Sequence, residues 1–314
     1  MSVSSRRGLH ALSWTAALGL FVWALSRVSL AQAWEAVRQL DATAVISLVV
    51  VNVAALVVFG VRWWIILRAL GHPIGLFSAS LYRLAAFGLS YFTPGPQVGG
   101  EPVQVLLAER RHAVPRDVAI GSVGLDRLFD AVVNLAFLTA SALIVADTGP
   151  TLVVAALVLV PLAYLLALAA GKRPVSFLFN RDIVNASEAQ AGRFCRERRG
   201  PLALAVAASF ASWGMLLFEY WLLASFLGIV LSASQLLIGL AAARVAYLLL
   251  LPAGLGVLEA GQVAAVRAMG FPAALGLSLS LVIRFRDVVT ATFALWLAVR
   301  LLTKSERNEN GGRR

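Results

Sequence analysis

A single cysteine, Cys195, in 314 residues rules out an internal disulfide and any multi-cysteine metal site. It reads as a small side chain in a basic segment. Charge is also scarce: Asp, Glu, Lys and Arg make up 14% of the chain against 60% hydrophobic residues, and mean hydropathy is +0.83. That is too little polar surface for a soluble protein of this length. The sequence contains no GxxxxGK[ST], HExxH, CxxC or GxSxG, so neither ATP hydrolysis nor a familiar hydrolase or metal chemistry has support. The three histidines, His10, His72 and His112, sit near span ends and read as interfacial. No catalytic residue, metal ligand or cofactor is therefore expected. What the chain does have is long apolar runs, which make it an all-α polytopic membrane protein. Its formal charge of +11 lies in loops between those runs, as beside an anionic cytoplasmic leaflet, and not in a nucleic-acid surface.

Six runs are long enough to cross a hydrocarbon core of ~30 Å at ~1.5 Å per residue: 11–30, 43–66, 118–146, 150–171, 201–228 and 274–300. The first lacks an early cleavage site and is expected to be a retained anchor. The following AQAWEAVRQLD repeats apolar residues at helical spacing and reads as an interfacial helix. Regions 76–112 and 233–270 remain.

These two regions open a duplication. Pro94, Glu101, Gln104, Pro115, Arg127 and Asp130 find counterparts in Pro252, Glu259, Gln262, Pro272, Arg284 and Asp287. The offset is 158 between Glu101 and Glu259 and becomes 157 between Arg127 and Arg284. Pro94, Gly95, Pro96, Gly99 and Gly100, with Pro252, Gly254 and Gly256, break each apolar segment, and about a dozen residues follow. Such segments read as re-entrant helical hairpins, since non-helical backbone survives at membrane depth only where protein or a watery cavity satisfies it.

Charge decides between hairpins and broken through-spans. With hairpins, Arg6, Arg7, Arg62, Arg68, Arg110, Arg111, Arg116, the 172–199 connection and the tail from Arg300 all become cytoplasmic, as do both termini. The connection has seven basic against three acidic residues, or +4. Arg27, Glu35, Arg38, Asp41 and Asp147 fall outside. Three crossings then separate the hairpins, so the repeats are inverted, as in many alternating-access folds. The whole is one transmembrane domain over 1–314, with repeats at about 43–146 and 201–300, a basic connection at 172–200 and a disordered basic tail at 303–314.

Each helix restarts near Glu101 or Glu259, where unpaired N–H groups and the positive end of the dipole favour an acid. These glutamates either cap the helix or take up a proton and gate the site. Gln104 and Gln262 lie one turn on, on the same face. Arg127 and Asp130, like Arg284 and Asp287, are three apart and share a face within a span, where an unpaired charge is costly. They either form an ion pair locking hairpin to bundle, or the arginine forks bind a lipid phosphate bidentately. Arg83 and Arg244 extend such a basic path. Asp126 and Arg286 lack counterparts, and Glu219 and Tyr220 are secondary candidates. Tryptophans such as Trp63 and Trp64 read as interface anchors.

PGPQVGGEPVQVLLAERR followed by SVGLDRLFDAVVNL, together with LPAGLGVLEAGQVAAVRAMGFP and the RFRD span, resembles the lysylphosphatidylglycerol synthase transmembrane region, a flippase-like membrane family, over roughly 10–300. The PGPQVGGEP wording is similar to stand-alone members associated with hopanoid biosynthesis. The resemblance implies a lipid flippase or scramblase, moving a phosphate-bearing or polyprenyl- or hopanoid-type lipid through a cavity between opposed hairpins in the inner membrane, alongside a lipid-synthesising enzyme. The cytosolic aminoacyl-transfer domain of two-part relatives is not expected here, so the resemblance carries over the flippase-like role alone. A membrane-embedded headgroup transferase and a non-transporting scaffold are the alternatives.

Overall fold

A computed structural model describes residues 35, 37–38, 40–93, 99–145, 148–179, 181–248 and 254–311, with the side chains of 145, 148–155 and 304–311 left aside. The expected span 11–30, most of the interfacial helix, Pro94, Gly95, Pro96, Pro252 and Asp147 lie outside the described residues.

Among the described residues there are eleven helices and no strand: α1 (Ala42–Ala69), α2 (Leu76–Phe92), α3 (Glu101–His112), α4 (Arg116–Val145), α5 (Thr148–Ala169), α6 (Pro174–Phe179), α7 (Asp182–Glu197), α8 (Arg199–Phe226), α9 (Ala233–Leu248), α10 (Val257–Ala268) and α11 (Ala273–Gly311). Three of them are long and apolar enough to cross a membrane, over Ala42–Ala69, Arg116–Ile144 and Arg199–Phe226. They coincide with the expected spans 43–66, 118–146 and 201–228. Shorter apolar helices run over Ala156–Ala169 and Ala233–Leu248; the expected span 150–171 falls on α5 and 274–300 within α11.

The ends of the helices follow local chemistry. Asp41 Oδ1 accepts the Ala44 N–H at 2.7 Å and caps α1. Gly71, Gly171, Gly228 and Gly270 carry positive φ just past α1, α5, α8 and α10. There the N–H of the next residue reaches back to a carbonyl five residues earlier, as from His72 to Leu67, the Schellman closure. Regions 76–112 and 233–270 each form two helices with a break. At ~1.5 Å per residue α3 and α10, of 12 residues each, are about 18 Å long and cannot cross a ~30 Å core.

The chain divides into two compact units. One comprises Val53–Ala86, Glu101–Met215 and Trp296–Arg314, and holds Glu101, Gln104, Arg127 and Asp130. In it α4 packs on α3, α5 and α7. Its core joins Trp63, Leu67, Tyr82, Leu107 and Val118, and a second cluster joins Ile66, Leu125, Leu168 and Phe194. The basic connection folds as α6 and α7, with Ala191, Phe194 and Cys195 inside and Arg193 and Arg196 outside. Glu188 ties the two together, accepting the N–H groups of Val175 at 3.1 Å and Ser176 at 2.8 Å and the hydroxyls of Ser176 and Tyr164. Burial pushes its carboxyl up, but these hydrogen bonds hold it below the ordinary range. Burial pushes the Cys195 thiol up to about 11.

The other unit comprises Met1–Asn52, Phe87–Gly100 and Leu216–Leu295, and holds Glu259, Gln262, Arg284 and Asp287. In it α9 packs on α10. A Cβ at Gly276 would lie 2.6 Å from the Gln262 carbonyl oxygen, so α10 and α11 meet backbone to backbone.

Candidate functional site

The repeated polar residues lie in two ionic clusters, one per unit. In the first-repeat unit, Arg62 Nε donates to Asp126 Oδ1 at 2.6 Å and its Nη2 to Asp130 Oδ1 at 2.6 Å, while Nη1 reaches Ser209 Oγ at 3.1 Å. Arg83 pairs with Asp126 and, at 2.7 Å, with Asp130 Oδ2. Arg127 Nε meets Glu101 Oε1 at 2.9 Å, and Arg127 Nη1 lies 3.7 Å from Asp130 Oδ2. Three arginines thus face three carboxylates in a continuous network. The core of the network is sealed: the side chains of Arg62 and Asp126 are each 1% exposed. Its edge is open, with Arg127 at 30%, Glu101 at 20% and Asp130 at 27%.

Arg62, expected among the cytoplasmic loop charges, lies inside α1 and is buried, because Asp126 and Asp130 draw the guanidinium inward. Trp63 is likewise core: it is buried and its indole N–H donates to Ser122 Oγ at 3.0 Å.

In the second-repeat unit, Arg284 donates to Glu259 Oε1 through Nε at 3.1 Å and Nη2 at 3.0 Å, to the Gly254 carbonyl at 3.2 Å and to the Tyr91 hydroxyl at 3.3 Å. Glu259 Oε2 accepts the Gly256 N–H at 2.8 Å, capping α10. Here capping and ion pairing are one arrangement. Gly254 and Gly256 have φ of 63° and 78°, and a Cβ on Gly254 would sit 2.7 Å from the Ala246 carbonyl oxygen, so glycine is required. Arg286 pairs with Glu219 at 2.7 Å and with Asp287 at 2.7 Å. Asn52 also donates to Glu219, at 3.2 Å, and Tyr247 donates to Asp287. Arg244, Glu219, Tyr220, Tyr247 and Arg286 line a cavity of about 30 Å³, enough for one water.

The units share one feature and differ in two. Both hold a glutamate from a helix start against an arginine on the following long helix, Glu101 with Arg127 and Glu259 with Arg284. The pair that ties the first helix of each repeat to its last has opposite polarity: Arg62 on α1 meets Asp126 on α4, both buried, whereas buried Glu219 on α8 meets a part-exposed Arg286 on α11. The glutamines diverge as well. Gln262 is satisfied, accepting the Tyr220 hydroxyl at 2.7 Å and donating to the Gly239 carbonyl at 2.9 Å. Gln104 is equally buried, and among the described residues neither atom of its amide has a hydrogen-bond partner. Each such orphaned atom costs about 1–3 kcal/mol. At the offset of 158, Tyr220 corresponds to Arg62, which is turned to the aspartates instead.

Arg62, Tyr91 and Tyr247 were missed as site residues. Tyr247 follows Arg244 by three positions on α9, a same-face signal that could have marked it; Arg62 and Tyr91 carry no such mark. The family described as "Lysylphosphatidylglycerol synthase TM region" matches residues 10–294. No curated protein and no solved structure matches the chain.

Proposed function

Because the chain belongs to the Lysylphosphatidylglycerol synthase TM region family and is a multi-pass membrane protein, we propose that it moves a polar, phosphate-bearing lipid between leaflets, as a flippase or scramblase. In this reading α2–α3 and α9–α10 are re-entrant hairpins, and the paired Glu and Arg at each restart handle the headgroup. The observation that carries it is the duplicated pair of Glu101 with Arg127 and Glu259 with Arg284. A guanidinium fork matches phosphate oxygens bidentately, and a carboxylate held on that fork keeps it paired until a headgroup arrives. Duplication of so costly a device within apolar helices argues for a role beyond cohesion, since well-packed apolar side chains would hold helices together as firmly.

The test is leaflet exchange of labelled phospholipid in liposomes containing the purified protein. Arg127→Ala and Arg284→Ala each lower the rate at least about tenfold, the scale of one lost charge-assisted hydrogen bond, while inserted and folded protein is retained. Joint loss of folding would return both arginines to a purely cohesive role, and a covalently altered lipid would point to a transferase.

A further inference from the structure

The two repeats have diverged at one position in a way that points to what the site recognises. Gln262 is a strut, with its amide oxygen on Tyr220 and its amide nitrogen on the backbone of α9. Gln104 occupies the equivalent place on α3, fully buried, with both amide atoms lacking a hydrogen-bond partner among the described residues. It lies one turn from Glu101 on the same helix face, and Glu101 and its partner Arg127 form the open edge of the first cluster. A buried amide left without partners beside an accessible ion pair is the mark of a site completed by a ligand.

Resting on the lipid-handling reading above, we propose that Gln104, Glu101 and Arg127 together recognise a phosphodiester headgroup that carries its own hydrogen-bond donor, a hydroxyl or an ammonium. The chemistry follows from matching hydrogen-bond donors to acceptors. Arg127 is paired with Glu101, so an oxyanion that takes the guanidinium draws it away from the carboxylate. A headgroup bearing a donor next to its phosphate resolves this: the phosphate takes Arg127, the donor turns to Glu101, and the amide of Gln104 supplies both an acceptor and donors to the same group. A phosphodiester without a donor satisfies only half of the set.

The probes are dioleoyl phosphatidylethanolamine, phosphatidylglycerol and phosphatidylcholine, which share the phosphodiester and differ in carrying an ammonium donor, hydroxyl donors or neither. Each is titrated onto the purified full chain in detergent and bound lipid is counted by native mass spectrometry. The ethanolamine lipid, the glycerol lipid or both bind about tenfold more tightly than the choline lipid, and which of them does so identifies the donor. Gln104→Met, close in volume, abolishes that preference and leaves the melting temperature unchanged or raised. Gln262→Met lowers the melting temperature, because it strands the Tyr220 hydroxyl and the Gly239 carbonyl. The proposal is overturned by a wild type that binds the three lipids alike or binds none, by Gln104→Met retaining the preference, or by Gln104→Met lowering the melting temperature as Gln262→Met does, which would mean that a buried water pairs the amide. Leaflet exchange separates the two readings: headgroup preference without exchange removes transport and leaves the site, and exchange without preference does the reverse.

Discussion

Arg62 shows how far a single residue can depart from its sequence context. It sits six residues from exposed Arg68, near the end of an apolar run, and that pattern describes a cytoplasmic flank. Its burial is decided by Asp126 and Asp130, on a helix that begins more than fifty positions later, and no local pattern encodes that meeting. Glu101, Arg127, Glu259 and Arg284 stand out in the sequence because they occur twice at a nearly constant offset, 158 for the glutamates and 157 for the arginines. The orphaned amide of Gln104 does not, since satisfaction is a property of neighbours. Removing one partner from a buried ionic network leaves the others uncompensated, which typically costs about 3–5 kcal/mol. Arg62→Met is therefore expected to lower thermal stability in detergent sharply, whereas Arg68→Met, at the exposed end of the same helix, changes it little. Equal melting temperatures for the two variants would show that the network around Asp126 does not depend on Arg62.

The helices themselves were largely readable, because apolar runs, Pro/Gly breaks and glycine stops are local signals. The two-helix form of 76–112 and 233–270 follows from the breaks, and the restarts expected near Glu101 and Glu259 fall at Glu101 and Val257. The basic connection was harder. Its charges describe a loop, yet Ser187, Ala191, Phe194 and Cys195 recur at helical spacing and give α7 a buried face, a pattern outweighed in the reading by the surrounding arginines. How closely helices approach was not readable at all. Gly239 on α9 lets the Tyr220 ring lie against the backbone: a Cβ there would be 2.5 Å from the hydroxyl that binds Gln262 on α10. Gly239→Ala should cost about 1–3 kcal/mol through overpacking and the displaced hydroxyl. Gly214→Ala on α8 meets nothing within 4 Å and should be neutral or stabilising by up to about 1 kcal/mol from helix propensity. Thermal melts of the two variants check the contrast, and a harmless Gly239→Ala would mean that Tyr220 has room to move.

At the scale of the molecule, each compact unit carries one copy of the duplicated motif, and the family match runs through both. The repeat was visible in sequence; the division was not, since α1, α2, α8 and α11 each contribute to both units. The proposed hairpins fix which residues share a side of the membrane. In a Cys195→Ser background, cysteines placed at the exposed positions Arg110 and Glu197 are expected to react with an impermeant maleimide only after the membrane is opened, and one at Asp41 in intact cells. Reaction of the Glu197 position from outside would replace hairpins by through-spans. A last consequence lies in the arithmetic of the clusters. Three guanidinium groups face three carboxylates in the first-repeat network, and Arg244, Arg284 and Arg286 are matched by Glu219, Glu259 and Asp287 in the other unit. Moving one uncompensated charge across the membrane involves about 2.3 kcal/mol of electrical work per 100 mV, whereas a neutral assembly involves almost none. In the proposed transport, a cluster that moves as one neutral body therefore carries no gating charge of its own, and voltage dependence would report the charge of the cargo or the separation of a pair such as Glu101 and Arg127.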